Sequence, residues 1–235
     1  MKLGRLRSVL LGGLLTVFVP LGAYLYLKSN GYNGRIPLPS YYVIDRIVDT
    51  SIGGKPVKDT LYHTTAEIKL LNQLGDSIQL NHDFPNKILI VNFFFTSCNT
   101  ICPKITENMK LLTMALQKHD SNIQFISISV DPQVDSLSRL RRYADRYKVN
   151  HDKWFFCSGS KETVYPYARQ ELGLFLPAAD SAGNDFIHPE KIVLLDKFRN
   201  IRGYYNGLYA DSVRKCAEDV TYLFVEKNKE HREEK

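Results

Sequence analysis

Cys98 and Cys102 stand in Phe95-Thr-Ser-Cys-Asn-Thr-Ile-Cys-Pro103, and their type and spacing equip them for chemistry. Two thiols four positions apart make either a reactive dithiol or part of a soft-metal site. The spacing is C-x3-C, one residue longer than the C-x2-C of ordinary disulfide oxidoreductases. The pair follows the most apolar strand-like run of the chain, Ile88 to Phe95, and precedes a helical pattern. A helix start offers partial positive charge and free N–H groups, which favour thiolate, the form that is both nucleophile and metal ligand. A static disulfide here would close a very small loop and stabilise little.

A third donor is at hand. His188, in Asp185-Phe-Ile-His-Pro189, precedes the strand-like Ile192–Leu195, and Pro189 biases it towards extended backbone. Two soft sulfurs and one imidazole suit Cu(I) and can also hold Cu(II). His63, His82, His119 and His151 have no partner at ligand spacing and read as surface residues, with His231 in the tail. Cys157 and Cys216 fall on apolar faces and are expected to be buried, and their pairing is not deducible from sequence. Asp131 and Asp135 read as turn and helix-start residues, with Asp131, at a strand end, placed to support the dithiol. There is no G-x-S-x-G, P-loop, H-E-x-x-H or Rossmann glycine pattern.

The elements that must position these residues alternate. A strand from Tyr41 to Asp49 leads to a turn at Gly53-Gly54-Lys-Pro56, and a hairpin is expected over Ala66–Leu71 and Ser77–Leu80. Ile88–Phe95 is apolar except for Asn92, as a strand buried on both faces should be. Helices are expected at Pro103–Lys118, Ser136–Lys148, Lys161–Leu172 and about 211–228, and strands at Ile123–Val130, Trp154–Cys157, Ile192–Leu195 and Ile201–Tyr205. The order predicts an α/β, thioredoxin-like fold with an N-terminal β-hairpin and a strand–helix insertion. In such sheets chemistry collects where strand C-termini meet helix N-termini.

Ahead of this domain, Val9–Leu27 is an apolar run of the length that spans a bilayer, preceded by Lys2, Arg5 and Arg7. Bulky Tyr24, Tyr26 and Lys28 stand where a signal-peptide cleavage site would need small residues. The expected organisation is a cytoplasmic N-terminus at 1–8, a transmembrane anchor at 9–28, a linker at 29–40, a thioredoxin-like domain at 41–228 and a charged tail at 229–235. The formal net charge is +6, but Lys2, Arg5, Arg7, Lys28 and Arg35 fall in the first 35 residues, which hold no acid. The remainder is close to balanced, so the basic excess describes an anchor and not a nucleic-acid surface.

Val91-Asn-Phe-Phe-Phe-Thr-Ser-Cys-Asn-Thr-Ile-Cys-Pro103, Ile128-Ser-Val-Asp-Pro132, Lys153-Trp-Phe-Phe-Cys-Ser-Gly159 and the downstream His188 together resemble the Sco/SenC family of copper chaperones. The resemblance runs from about Ala66 to Phe224. It implies copper bound by Cys98, Cys102 and His188 and handed to the dinuclear copper site of cytochrome c oxidase subunit II, or to another copper-accepting protein. With the anchor and the cations ahead of it, the expected location is single-pass in the cell inner membrane with the domain facing the periplasm, or in the mitochondrial inner membrane. Asn99-Thr100 and Ile187 depart from the Pro-Asp and acidic residue common in the family at those places. The alternative expectation is a thiol–disulfide reductase, or a peroxide-reducing enzyme, with Cys98 and Cys102 as its catalytic dithiol. That chemistry needs no imidazole opposite the cysteines.

Overall fold

A computed structural model describes residues 2–29, 39–52, 55–174 and 190–233. The chain divides into two compact units, Met1–Pro37 and Leu38–Lys235. Helix α1, Lys2–Ser29, belongs to the first and contains Pro20. Among the described residues no helix is long and apolar enough to cross a membrane, so the expected span is not shown.

In the second unit, β1 (Ile44–Ile52) and β2 (Lys55–Tyr62) form a two-stranded antiparallel ribbon of their own. Here the expected strand begins and ends three residues later, at Ile44–Ile52, and has a partner. The remaining strands are β3 (Lys69–Asn72), β4 (Ser77–Gln79), β5 (Ile88–Phe94), β6 (Ile123–Ser129), β7 (Trp154–Ser158), β8 (Lys191–Leu195) and β9 (Ile201–Asn206). They make one seven-stranded sheet in the order β4-β3-β7-β6-β5-β8-β9. Strands β5, β6 and β7 are parallel, while β8 and β9 run antiparallel to their neighbours. This is the expected mixed α/β sheet.

Every residue of β5 and of β6 is buried. Ile88, Ile90 and Phe94 face one core with helix α2 (Ile101–Ala115), helix α3 (Leu137–Tyr147) and helix α5 (Ala210–Glu233). Leu89, Val91 and Phe93 face a second core that includes Val164 and Tyr167. These two lie in helix α4 (Lys161–Pro166) and the π-turn Tyr167–Glu171 that continues it. Each fully buried aliphatic or aromatic side chain contributes about 1.5–3 kcal/mol, so the central strands are where most of the fold's stability arises. Helix α5 extends past the expected end at 228, because nothing in Glu226 to Glu233 breaks a helix.

Two buried arginines tie down the edge of the sheet where β5 enters. Arg199, in the β8–β9 turn at φ 68°, directs its guanidinium N–H groups to the carbonyls of Leu80, Phe84, Lys87 and Asp196 and to Asn81 Oδ1. Arg202 pairs with Asp196 and Glu226 at 3.2 and 2.8 Å and donates to the Pro39 carbonyl at 2.7 Å, with Tyr41 stacked against it.

Candidate metal and dithiol centre

At its other end β5 gives way to the turn Phe95–Thr100. The Cys98 N–H donates to the Phe95 carbonyl at 3.2 Å, curling the chain towards α2. Thr100 is the N-cap of α2, yet its side chain makes no capping bond. A helix start leaves N–H groups in need of acceptors, and here a sulfur serves: the Cys102 N–H donates to Cys98 Sγ at 3.3 Å. The Thr100 hydroxyl lies 3.9 Å from the same sulfur.

Those contacts make the two thiols unequal. Burial pushes the Cys98 thiol up, but the donors of Cys102 and Thr100 outweigh it and hold Cys98 below the ordinary thiol range. Burial and the bond to Cys98 both push Cys102 up, well beyond that range. Cys98 is 6% exposed and Cys102 1%, so the first is the accessible member of the pair. A thiolate-prone sulfur beside a proton-holding one can act as nucleophile and resolving thiol, or as two soft ligands once both are deprotonated.

The loop carrying Cys98 is braced by a buried carboxylate. Asp135, 1% exposed, accepts the Thr96 N–H at 3.1 and 3.2 Å on its two oxygens, the Thr96 hydroxyl, and the Ser129 hydroxyl at 2.6 Å. Its position just before the α3 N-cap Ser136 matches a helix-start residue, but its contacts reach across to the loop after β5. The support expected from Asp131 comes from Asp135. Asp131 takes part through its backbone: its N–H donates to Ser129 Oγ at 3.1 Å and its carbonyl accepts the N–H groups of Val134 and Asp135 at 3.1 and 2.9 Å. Sequence reading missed Asp135, since a carboxylate before a helix signals a turn and its partner lies 39 residues away. It also missed Thr106, which donates to the Cys102 carbonyl at 2.8 Å and meets the Tyr143 hydroxyl at 2.9 Å, linking α2 to α3.

His188 lies outside the described residues. The antiparallel register Asn92↔Ile192 nevertheless puts the entry of β8 at the edge where β5 exits towards the cysteines. The carbonyl of Glu190, two residues after His188 in sequence, accepts the Gly207 N–H at that edge, at 2.6 Å. Among the described residues no group of three His, Cys, Asp or Glu side chains could hold a metal ion. The other described histidines are engaged elsewhere. His63 pairs with Glu171 at 3.2 Å, His82 with Asp83 at 2.7 Å and His151 with Asp145 at 3.0 Å, while His119 stacks on Phe224. Only His82 among them is largely exposed; His63, His119 and His151 are half-buried. Cys157 and Cys216 are free, fully buried and in different cores on opposite faces of the sheet, so they do not pair.

Comparison with known proteins bears on this geometry. The SCO1/SenC family model matches residues 58–224. A SCO1 protein homolog of Bacillus subtilis is 27% identical over 157 residues, covering 66% of this chain and 80% of its own. The solved structure of BsSco, a member of the Sco family of cytochrome c oxidase assembly proteins with a disulfide switch, superimposes with a TM-score of 0.60. It is 26% identical and the match covers 71% of this chain and 96% of that one. Yeast Sco1 solved with copper bound shares the fold, with a TM-score of 0.53 and 20% identity over 68% of this chain and 89% of its own.

Proposed function

The chain belongs to the SCO1/SenC family, and from that premise we propose that it is a membrane-anchored copper metallochaperone. Copper is its cargo, held by Cys98, Cys102 and His188 and passed to the dinuclear copper site of cytochrome c oxidase subunit II. The observation that carries this reading is the unequal thiol pair at the β5–α2 junction, with Cys98 Sγ already accepting the Cys102 N–H. Two soft sulfurs suit a copper ion, and the entry of β8 on the same edge of the sheet favours His188 as the third donor. Three ligands leave the ion under-coordinated, so an incoming thiol can attach before the donor releases it. Asp135 and Thr106 fix the loop and helix that carry the sulfurs; they orient and do not ligate.

Titration of the reduced protein with Cu(I) under a competing chelator tests this. Wild type is expected to bind one ion per chain, and Cys98→Ser and His188→Ala are each expected to lose tight binding. Unchanged affinity and spectrum in both variants would sink the proposal.

A second reading is favoured by the same asymmetry: Cys98 as attacking and Cys102 as resolving thiol of a thiol–disulfide reductase. It is tested by the reduction potential of the metal-free protein and by turnover with a disulfide partner. For location, we propose residues 9–28 as the anchor, 29–40 as the linker and 41–228 as the copper-binding domain on the periplasmic side, or its mitochondrial equivalent. Lys2, Arg5 and Arg7 ahead of the apolar run support that orientation. Resistance of the chain to carbonate extraction from membranes is the expected result.

A further inference from the structure

Helix α2 does more than present Cys102. Its outward stripe Lys104, Glu107, Leu111 and Met114 repeats at helical spacing and lines one side of a groove of about 650 Å³. The opposite side is Arg146, Tyr147 and Lys148, from the end of α3 and its left-handed cap. Leu111 and Met114 are 60% and 54% exposed, an apolar floor left open to solvent. Leu111 also lines a second, smaller and mainly apolar depression against Val213 and Ala217 of α5.

The charges around that floor are one-sided. Lys104, Lys110, Arg146 and Lys148 stand against the single acid Glu107, and among the described residues none of the four cations forms an ion pair. Cations at the end of α3 are favoured by the helix dipole. Lys104 is not: it sits at the start of α2, where the dipole repels it and where no acid occupies the first turn. Folding alone gives no reason for a lysine there.

We propose that this α2–α3 groove docks an acidic, amphipathic segment of a partner protein. Its apolar side chains would seat on Leu111 and Met114, and its carboxylates would lie among the four cations. The groove lies on the helix that carries Cys102 but on its outward face: Lys104 is two residues from the buried Cys102, and Leu111 is about 13 Å further along the helix axis than Cys102. A partner docked there is held on the helix that carries Cys102. That this partner is the copper acceptor rests on the function proposed above; the docking itself does not.

The test uses the full chain in neutral detergent micelles and a fluorescein-labelled synthetic helical peptide with Leu at i, i+3 and i+7 and Glu elsewhere. A Gln-for-Glu version of the peptide and vesicles of phosphatidylcholine with phosphatidylglycerol serve as the other probes. The acidic peptide is expected to bind and the Gln version not to. Affinity should fall at least about tenfold in the fourfold variant K104E/K110E/R146E/K148E and in Leu111→Asp. It should fall as well when ionic strength rises from about 0.01 to about 0.1 M, which shortens the screening length from about 30 to about 10 Å. Copper binding should be unchanged in the fourfold variant. Equal binding of the two peptides, indifference to charge reversal, or binding of vesicles without the acidic peptide would overturn the proposal. Failure of wild-type copper binding, with the peptide pattern intact, would instead remove the copper function and leave the groove standing.

Discussion

The two ends of β5 are held by opposite charges. At its entry the carbonyls of Leu80, Phe84 and Lys87 converge on the Arg199 guanidinium. At its exit the N–H groups of Thr96 and Cys102 converge on acceptors, the Asp135 carboxylate and Cys98 Sγ. Each end satisfies whichever backbone groups the sheet leaves over, but they differ in permanence. All five guanidinium donors of Arg199 have acceptors, and that charge is fixed. At the exit one of the acceptors is a thiol, whose capacity changes with protonation, oxidation or metal binding. The molecule is thus closed at one end of its central strand and chemically adjustable at the other.

That contrast sets the expected order of effects. Arg199→Met should be the most damaging, costing about 4 kcal/mol in urea denaturation because buried carbonyls lose their donors together. A loss under about 1 kcal/mol would mean that the entry is not closed in this way. Asp135→Asn should cost about 2–3 kcal/mol, since an amide cannot accept from Thr96 and Ser129 at once without turning a donor towards a donor. It should also loosen the Cys98 loop, read as faster alkylation of Cys98. At the thiols themselves, Cys98 of the reduced, metal-free protein should react with iodoacetamide at least about tenfold faster than Cys102, about 1.4 kcal/mol in barrier. Its rate should rise with pH through a midpoint below the ordinary thiol value, because thiolate forms there as pH increases. Equal rates would remove the asymmetry. Thr106→Val should be mildest, about 1–2 kcal/mol, as the buried bonds to the Cys102 carbonyl and to the Tyr143 hydroxyl are both lost.

Sequence reading found the buried strands and the dithiol because their signals are local. Seven consecutive buried residues in β5 leave a run that is apolar but for Asn92, and the C-x3-C-P segment follows it directly. It missed β2, Lys-Pro-Val-Lys-Asp-Thr-Leu-Tyr, because a ribbon standing apart from the main sheet buries little of either face and needs no apolar alternation. It also missed the bracing carboxylate. Asp135 acquires its partners only when β5 and β6 pair in register and bring Thr96 and Ser129 together, an outcome of topology that no local pattern records.

Arg202 carries a mechanical consequence. Its guanidinium grips the Pro39 carbonyl through Nε and Nη2 while its remaining donors hold Asp196 and Glu226. Tension applied to the chain ahead of Pro39 therefore does not reach the turn at Cys98 first. It falls on a guanidinium rooted in β9 and crosses to α5 through Glu226, so the sulfur geometry is insulated from whatever pulls on the N-terminal segment.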